Sequence, residues 1–178
     1  LLLTEELVRG YDARYKVNPP LRRDEDVQAV REGLADGTID IVATDHAPHP
    51  AEAKSCEWQA AANGMVGLES ALRVVHQAMV QTGMLSWDDV ARVMSAAPAR
   101  IGRLDDAGTP LVVGAPASLT LYDPAPTRTF GRDDLRGRSV NSPYLGRELP
   151  GEVRWTFFRG AATVANGVVA ESMGEERA

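Results

Sequence analysis

Between Tyr15 and Thr44 the chain passes from a short apolar piece through an amphipathic helix to a second apolar run, an order that restricts it to parallel strand pairing. Tyr15-Lys16-Val17-Asn18 reads as a brief strand stopped by Pro19-Pro20, because proline has no N–H to give to a ladder. Asp24 is placed to cap a helix whose apolar positions Val27, Val30 and Leu34 follow i, i+3, i+7 spacing, and Gly37 ends it. Ile39-Asp40-Ile41-Val42-Ala43-Thr44 then reads as a buried strand. Strand, helix and strand in this order form a βαβ unit, so Asn18 and Asp45 leave the sheet at the same edge.

The second run leads directly into Ala43-Thr44-Asp45-His46-Ala47-Pro48-His49, which places a carboxylate and two imidazoles at a strand end. In a (β/α)8 barrel that end faces the active site. Asp45 has two natural roles there, as oxygen ligand to a divalent metal and as general base or acid for a water; the competing reading is a loop-capping Asp. Pro48 disfavours helix at Ala47, so His46 and His49 need not share a face. His49 suits a hydrogen bond to an anionic substrate, whereas His46 braces Asp45 or its loop. A zinc site of this class takes roughly three or four ligands, so Asp45, His46 and His49 do not complete one. Asn63-Gly64 can offer backbone N–H groups to a carboxylate, glycine allowing close approach. His76 lies in a helical pattern with no polar partner at matching spacing and reads as a surface or half-buried histidine.

Downstream, Leu68, Leu72, Val75 and Met79 mark one face of a helix. Ser86-Trp87-Asp88-Asp89 resembles a capping box and opens another, ending near Ile101-Gly102. From about Thr109 the texture turns to β-rich pieces: Leu111 to Val113, Leu119 to Tyr122, Arg154 to Phe158, and Thr163 to Ala165 before an Asn166-Gly167 hairpin turn. A short apolar start at Leu1-Leu2-Leu3 and a solvated tail at Glu175 to Ala178 frame the chain; a thread of only three leucines spans no membrane. A net charge of −6, with 19 Lys and Arg scattered among 25 acids, argues against a nucleic-acid surface. Cys56, the single cysteine, excludes an internal disulfide framework and fits a reducing compartment.

Four segments, Lys16 to Arg22, Ala43 to His49, Gly64 to Ser70 and Asn141-Ser142-Pro143-Tyr144-Leu145-Gly146, resemble the dihydroorotase family, the bacterial long-chain type within the amidohydrolase superfamily. Ala97 to Gly102 and Gly114 to Ala117 agree with it. The resemblance implies an α/β fold: residues 1–108 as the C-terminal portion of a (β/α)8 TIM-type barrel, and residues 109–178 as part of a small β-sandwich domain with its tail. A complete barrel takes about 250 residues, so a missing N-terminal barrel half is expected as the chain's partner, with a homodimer as a candidate assembly and the cytoplasm as location. The implied activity is reversible interconversion of N-carbamoyl-L-aspartate and L-dihydroorotate with one or two Zn2+ ions as cofactor. By the same resemblance Asp45 is the catalytic aspartate and a zinc ligand, while Asn18, His49, Asn63 and Gly64 hold the substrate. The remaining metal ligands and a substrate-binding arginine are expected upstream of Leu1. The segment alone is expected to be inactive and prone to unfold, with open sheet edges. Neighbouring cyclic amidohydrolases, dihydropyrimidinase or allantoinase, and a metal-free scaffold subunit are the competing readings.

Overall fold

The computed structural model describes residues 1–170; the expected solvated tail lies outside them. Helix α1 (Asp24–Asp36) forms where the spacing predicts it, and Gly37 ends it at φ 87°, a left-handed conformation that a residue without Cβ adopts freely. The cap position is Arg23 rather than Asp24, and the Asp26 carboxylate accepts the Arg23 N–H at 3.3 Å. Val27 and Leu34 are buried, but Val30 faces out. A 3-10 helix (Glu5–Gly10) follows Thr4, whose side chain caps nothing.

The two runs flanking α1 are not strands. Tyr15 closes a 3-10 turn (Ala13–Tyr15), and residues 39–45 belong to no ladder. Lys16 of the first accepts from Gly64 N–H at 2.9 Å; in the second, Ile39 N–H reaches the Gly33 carbonyl at 2.8 Å and Val42 N–H the Val93 carbonyl at 3.0 Å, before one isolated parallel bridge, His46 to Met65. A strand exists through its neighbour's hydrogen bonds, and no described segment supplies them here. The βαβ expectation therefore holds for its helix alone.

Short α2 (Ala51–Lys54) follows the His49 loop. Helix α3 (Ala71–Val75) continues without a break into a π-helical turn (His76–Val80), and this rod divides the interior in two. Adjacent helical residues point about 100° apart, so Val74 enters one core with Leu3, Val66, Phe130, Leu135, Tyr144 and Leu149. Val75, Ala78 and Met79 enter another with Leu34, Leu85, Val90 and Val93. Leu72 is half-buried and Leu68 exposed, which shortens the predicted apolar face at its start. Each fully buried aliphatic or aromatic side chain contributes about 1.5–3 kcal/mol. Ser86 and Asp89 form the predicted capping box, with Asp89 N–H to Ser86 Oγ at 3.2 Å and Ser86 N–H to Asp89 Oδ2 at 3.0 Å. They open α4 (Trp87–Ala91), which runs through a π-helical stretch (Arg92–Ala96) into α5 (Ala97–Gly102).

The second half of the chain is an antiparallel meander of four strands in the order β1 (Leu119–Thr129), β2 (Glu148–Phe158), β3 (Ala161–Ala165) and β4 (Val168–Val169). Asn166-Gly167 makes the predicted turn, with φ 50° and 77°, and Arg159-Gly160 makes a second one that the sequence reading passed over. Leu111 to Val113, read as β-rich, pair with nothing and stand exposed. Pro124-Ala125-Pro126 interrupt the β1–β2 register, since neither proline can donate to it. Opposite the interruption, Gly151 lets Tyr122 lie against the β2 backbone.

Helix α3 reaches this sheet through two buried side chains. Arg73 donates from Nη2 to the carbonyls of Arg128 (2.9 Å) and Leu149 and from Nε to that of Pro150 (3.3 Å), and it faces Asp134 at 3.6 Å. His76 is buried rather than superficial: its Nδ1 lies 3.0 Å from the Tyr122 hydroxyl, which itself donates to the Pro150 carbonyl at 2.9 Å. The imidazole therefore donates to the phenol oxygen. Burial keeps His76 neutral by pushing its pKa down and drives the Tyr122 phenol up to about 12.

A Cβ at Gly151 would fall 1.8 Å from the Tyr122 hydroxyl, at φ 75°, whereas Gly146 has φ 80° with nothing within 4 Å. Gly151→Ala should cost about 2–4 kcal/mol, and Gly146→Ala about 1 kcal/mol from backbone strain alone. Thermal denaturation of the two variants checks this; equal losses would show that the Tyr122 contact carries no weight.

Candidate active site

Asp45 adopts φ 45°, a left-handed conformation that costs most residues about 1–2 kcal/mol and that Asp tolerates better than most. The turn it makes allows His46 to bridge Met65 and Ala47 N–H to reach the Met65 carbonyl at 2.9 Å. The Asp45 side chain is exposed, and no hydrogen bond or ion pair occupies its carboxylate among the described residues.

Both histidines of the motif are engaged with backbone. His46 Nδ1 accepts from Gly67 N–H (3.2 Å) and Leu68 N–H (3.3 Å), so that nitrogen is unprotonated and the ring serves as a brace. His49 Nε2 lies 2.8 Å from the Asn63 carbonyl, which can only accept, so Nε2 carries the proton. A further donor from this ring requires either protonation of Nδ1 or release of Asn63.

Asn141 joins the two loops. Its Nδ2 donates to the carbonyls of Ala47 (2.9 Å) and Gly64 (3.3 Å), and its Oδ1 accepts from His49 N–H (3.3 Å). Its own carbonyl accepts from Val66 N–H at 3.2 Å. Gly64 sits at φ 130°, and a Cβ there would come within 2.6 Å of Ala47 Cβ and 3.0 Å of His49 Nε2. Only glycine lets the loops approach this closely. Gly64 N–H is already donated to the Lys16 carbonyl at 2.9 Å, which leaves Asn63 as the candidate backbone donor of the pair. The same bond ties Gly64 to the segment that carries exposed Asn18 two residues later.

His49, Asn63 and Gly64 are thus brought together, Asn18 is linked to them through Lys16, and Asp45 stands apart with a free carboxylate. A cavity of about 200 Å³ lies on the other side of Thr44, between Val42, Met65, Val74 and Tyr144, and none of the predicted site residues lines it. Among the described residues no three His, Cys, Asp or Glu side chains converge to hold a metal ion. Two lysines escaped the sequence reading. Lys16 Nζ donates to the carbonyls of Trp58 (2.7 Å), Gln59 (3.1 Å) and Ala61 (2.7 Å), and Lys54 is buried against backbone carbonyls of the same loop. A lysine in an Ala-Glu-Ala-Lys helix carries no local sign of burial; its partners lie up to 38 residues away.

The profile of the amidohydrolase family matches residues 13–163, and the chain belongs to that family. Among curated relatives it is similar to dihydroorotases: 70% identical over 177 residues to that of Leifsonia xyli subsp. xyli, 59% over 167 residues to that of Streptomyces coelicolor and 51% over 169 residues to that of Mycobacterium tuberculosis. These matches cover 99%, 94% and 95% of this chain but 40%, 39% and 39% of the relatives, so the chain spans about two fifths of their length. Among solved structures, the L-hydantoinase (dihydropyrimidinase) from Arthrobacter aurescens superposes with a TM-score of 0.83 at 29% identity, over 95% of this chain and 38% of that one. A D-hydantoinase matches with a TM-score of 0.83 at 25% identity, over 94% and 38%.

Replacing Asn141 by Ala removes three side-chain hydrogen bonds and strands buried partners, which costs about 1–3 kcal/mol for the group left worst off. Asn141→Ala should lower the melting temperature and speed amide exchange at His49 and Val66, whose N–H groups it and its backbone engage. Unchanged exchange at both amides would show that the loops hold each other without it.

Proposed function

We propose that this chain is the C-terminal portion of a dihydroorotase: the last elements of a (β/α)8 barrel over residues 1–108, followed by part of a small β domain. The observation that carries the reading is identity of 70% to a dihydroorotase over 99% of the chain, against 29% to a hydantoinase of the same fold. The reaction is interconversion of N-carbamoyl-L-aspartate and L-dihydroorotate, run in the cytoplasm by a chain whose other barrel half supplies the remaining groups, as a homodimer.

The residues fit a zinc centre in donor type but not in number. Asp45 offers an exposed carboxylate with no internal partner, which suits a ligand, and one carboxylate does not hold catalytic zinc. The other ligands belong to the rest of the enzyme. When bound, zinc acts as a Lewis acid and makes water acidic enough to lose a proton near neutral pH.

In the hydrolytic direction Asp45 accepts the proton of the attacking water as the C–O bond forms at the ring amide carbonyl. It returns that proton to the ring nitrogen as the C–N bond breaks, one carboxylate serving as base and then acid. Cyclisation runs the same steps backwards. Asn18, His49 and the Asn63-Gly64 turn hold the substrate carboxylate and amide; His49 contributes its donor to the anion by releasing Asn63 or by taking a proton on Nδ1. His46, locked to Gly67 and Leu68, fixes the turn that aims Asp45.

In the intact enzyme Asp45→Asn should lower kcat by at least about 100-fold, the scale of general acid–base catalysis, with the fold retained by circular dichroism; near-normal kcat would remove Asp45 from the mechanism. Side-by-side assays on dihydroorotate, hydantoin and allantoin should give turnover on the first. Activity confined to the other two would replace the substrate assignment, and absence of a His-x-His pair upstream would favour a scaffold subunit.

A further inference from the structure

Lys54 is 8% exposed and carries its ammonium into a pocket made entirely of backbone carbonyls. Its three protons meet three acceptors: Ala62 at 2.9 Å, Gly64 at 3.0 Å and Lys16 at 3.2 Å. Lysine is almost never buried without a partner, and no carboxylate pairs with this one among the described residues. Two of the acceptors flank Asn63, the third lies two residues before Asn18, and Lys54 itself ends the helix that begins just after the His49 loop. One charge therefore touches each of the three segments that carry the proposed substrate holders, and it makes no contact with Asp45.

We propose that Lys54 is a positioning residue that sets the Asn63-Gly64 turn and the Asn18 segment for substrate binding, an inference that rests on the dihydroorotase reading above. The site needs a cation there because three carbonyls converge where two loops meet. An apolar side chain of equal length would leave the Ala62 carbonyl without a donor and would take from the Lys16 and Gly64 carbonyls one of the two donors each has, the others being Gly64 N–H and Asn141 Nδ2. Burial and the neighbouring Lys16 push the Lys54 pKa below the ordinary lysine range, so the site holds the charged form by geometry against its own desolvation. Lys16 repeats the arrangement one step outward, on Trp58, Gln59 and Ala61, and stiffens the remainder of the loop.

The test uses the intact enzyme with Lys54→Met and, where that variant fails to fold, Lys54→Gln, which keeps one donor group. On dihydroorotate, KM should rise at least about tenfold while kcat changes less than about threefold, the mark of lost ground-state binding. A fall in kcat at constant KM, or no change in either, overturns the proposal. Hydrogen exchange of residues 60–65 supplies a readout independent of turnover: the Gly64 amide should exchange faster in the variant. Unchanged exchange overturns the clamp. Wild-type enzyme inactive on dihydroorotate would instead sink the function reading, while the exchange measurement still decides whether Lys54 holds the turn.

Discussion

One buried amide, that of Asn141, holds the candidate site together. Its side chain spans 94 residues of sequence to reach Ala47 and 77 to reach Gly64, and it accepts from His49 in the same plane of loops. An amide suits this position because it donates twice and accepts once within a single rigid group. A carboxylate could not donate to the two carbonyls, and an apolar residue would leave the Ala47 carbonyl and the His49 N–H dry and the Gly64 carbonyl with Lys54 alone. Because Ala47 lies two residues from Asp45, fixing its carbonyl also limits where the carboxylate proposed to be catalytic can point. The buried run Asn141-Ser142-Pro143-Tyr144 places the amide, with Tyr144 packed in the core that includes Val66 and Val74.

That core depends in turn on α3. Val74 and Val75 point into separate clusters, while Arg73 and His76 of the same rod engage the sheet. The sheet carrying β1 and β2 is thereby fixed to the body that carries the site. Arg73 satisfies carbonyls of both strands where prolines at 124, 126 and 150 thin the ladder. A guanidinium serves here better than an ammonium because its planar fork reaches several carbonyls at once. The sheet is thus a support for α3 as much as a separate unit.

Local signals in the sequence were reliable wherever the physics is local. The Ser86 and Asp89 capping box, the glycine after α1, and the Asn166-Gly167 turn each depend on atoms within four residues, and each formed as read. Strand readings at Tyr15 to Asn18, Ile39 to Thr44 and Leu111 to Val113 failed because apolar β-branched composition describes a surface that wants a neighbour, not the neighbour itself. His76 reads as a surface or half-buried residue, and Lys54 and Arg73 draw no reading, for a related reason: what makes a buried polar side chain tolerable is a partner far away in sequence. The pattern at Asp45 and His49 marks them as candidates, but nothing in it tells that each imidazole of the motif is tied to backbone.

The free and tied groups of the motif divide along chemical lines. A group that shuttles a proton must change partner during the reaction, and any strong internal hydrogen bond would have to break at each step. Asp45 suits that proposed role, since among the described residues its carboxylate has no internal partner, and its left-handed turn leads directly into the bridge at His46. A group that aims another must do the opposite and keep its partners throughout, as His46 does with two amide donors. His49 lies between these limits, with one nitrogen committed to Asn63 and the other open. That intermediate state suits the role proposed for His49: the bond to Asn63 keeps the ring in place, and an incoming anion would compete for the same proton. The loop beneath must then hold its shape when that bond is lost, which is the task its lysine-bound carbonyls are built to perform.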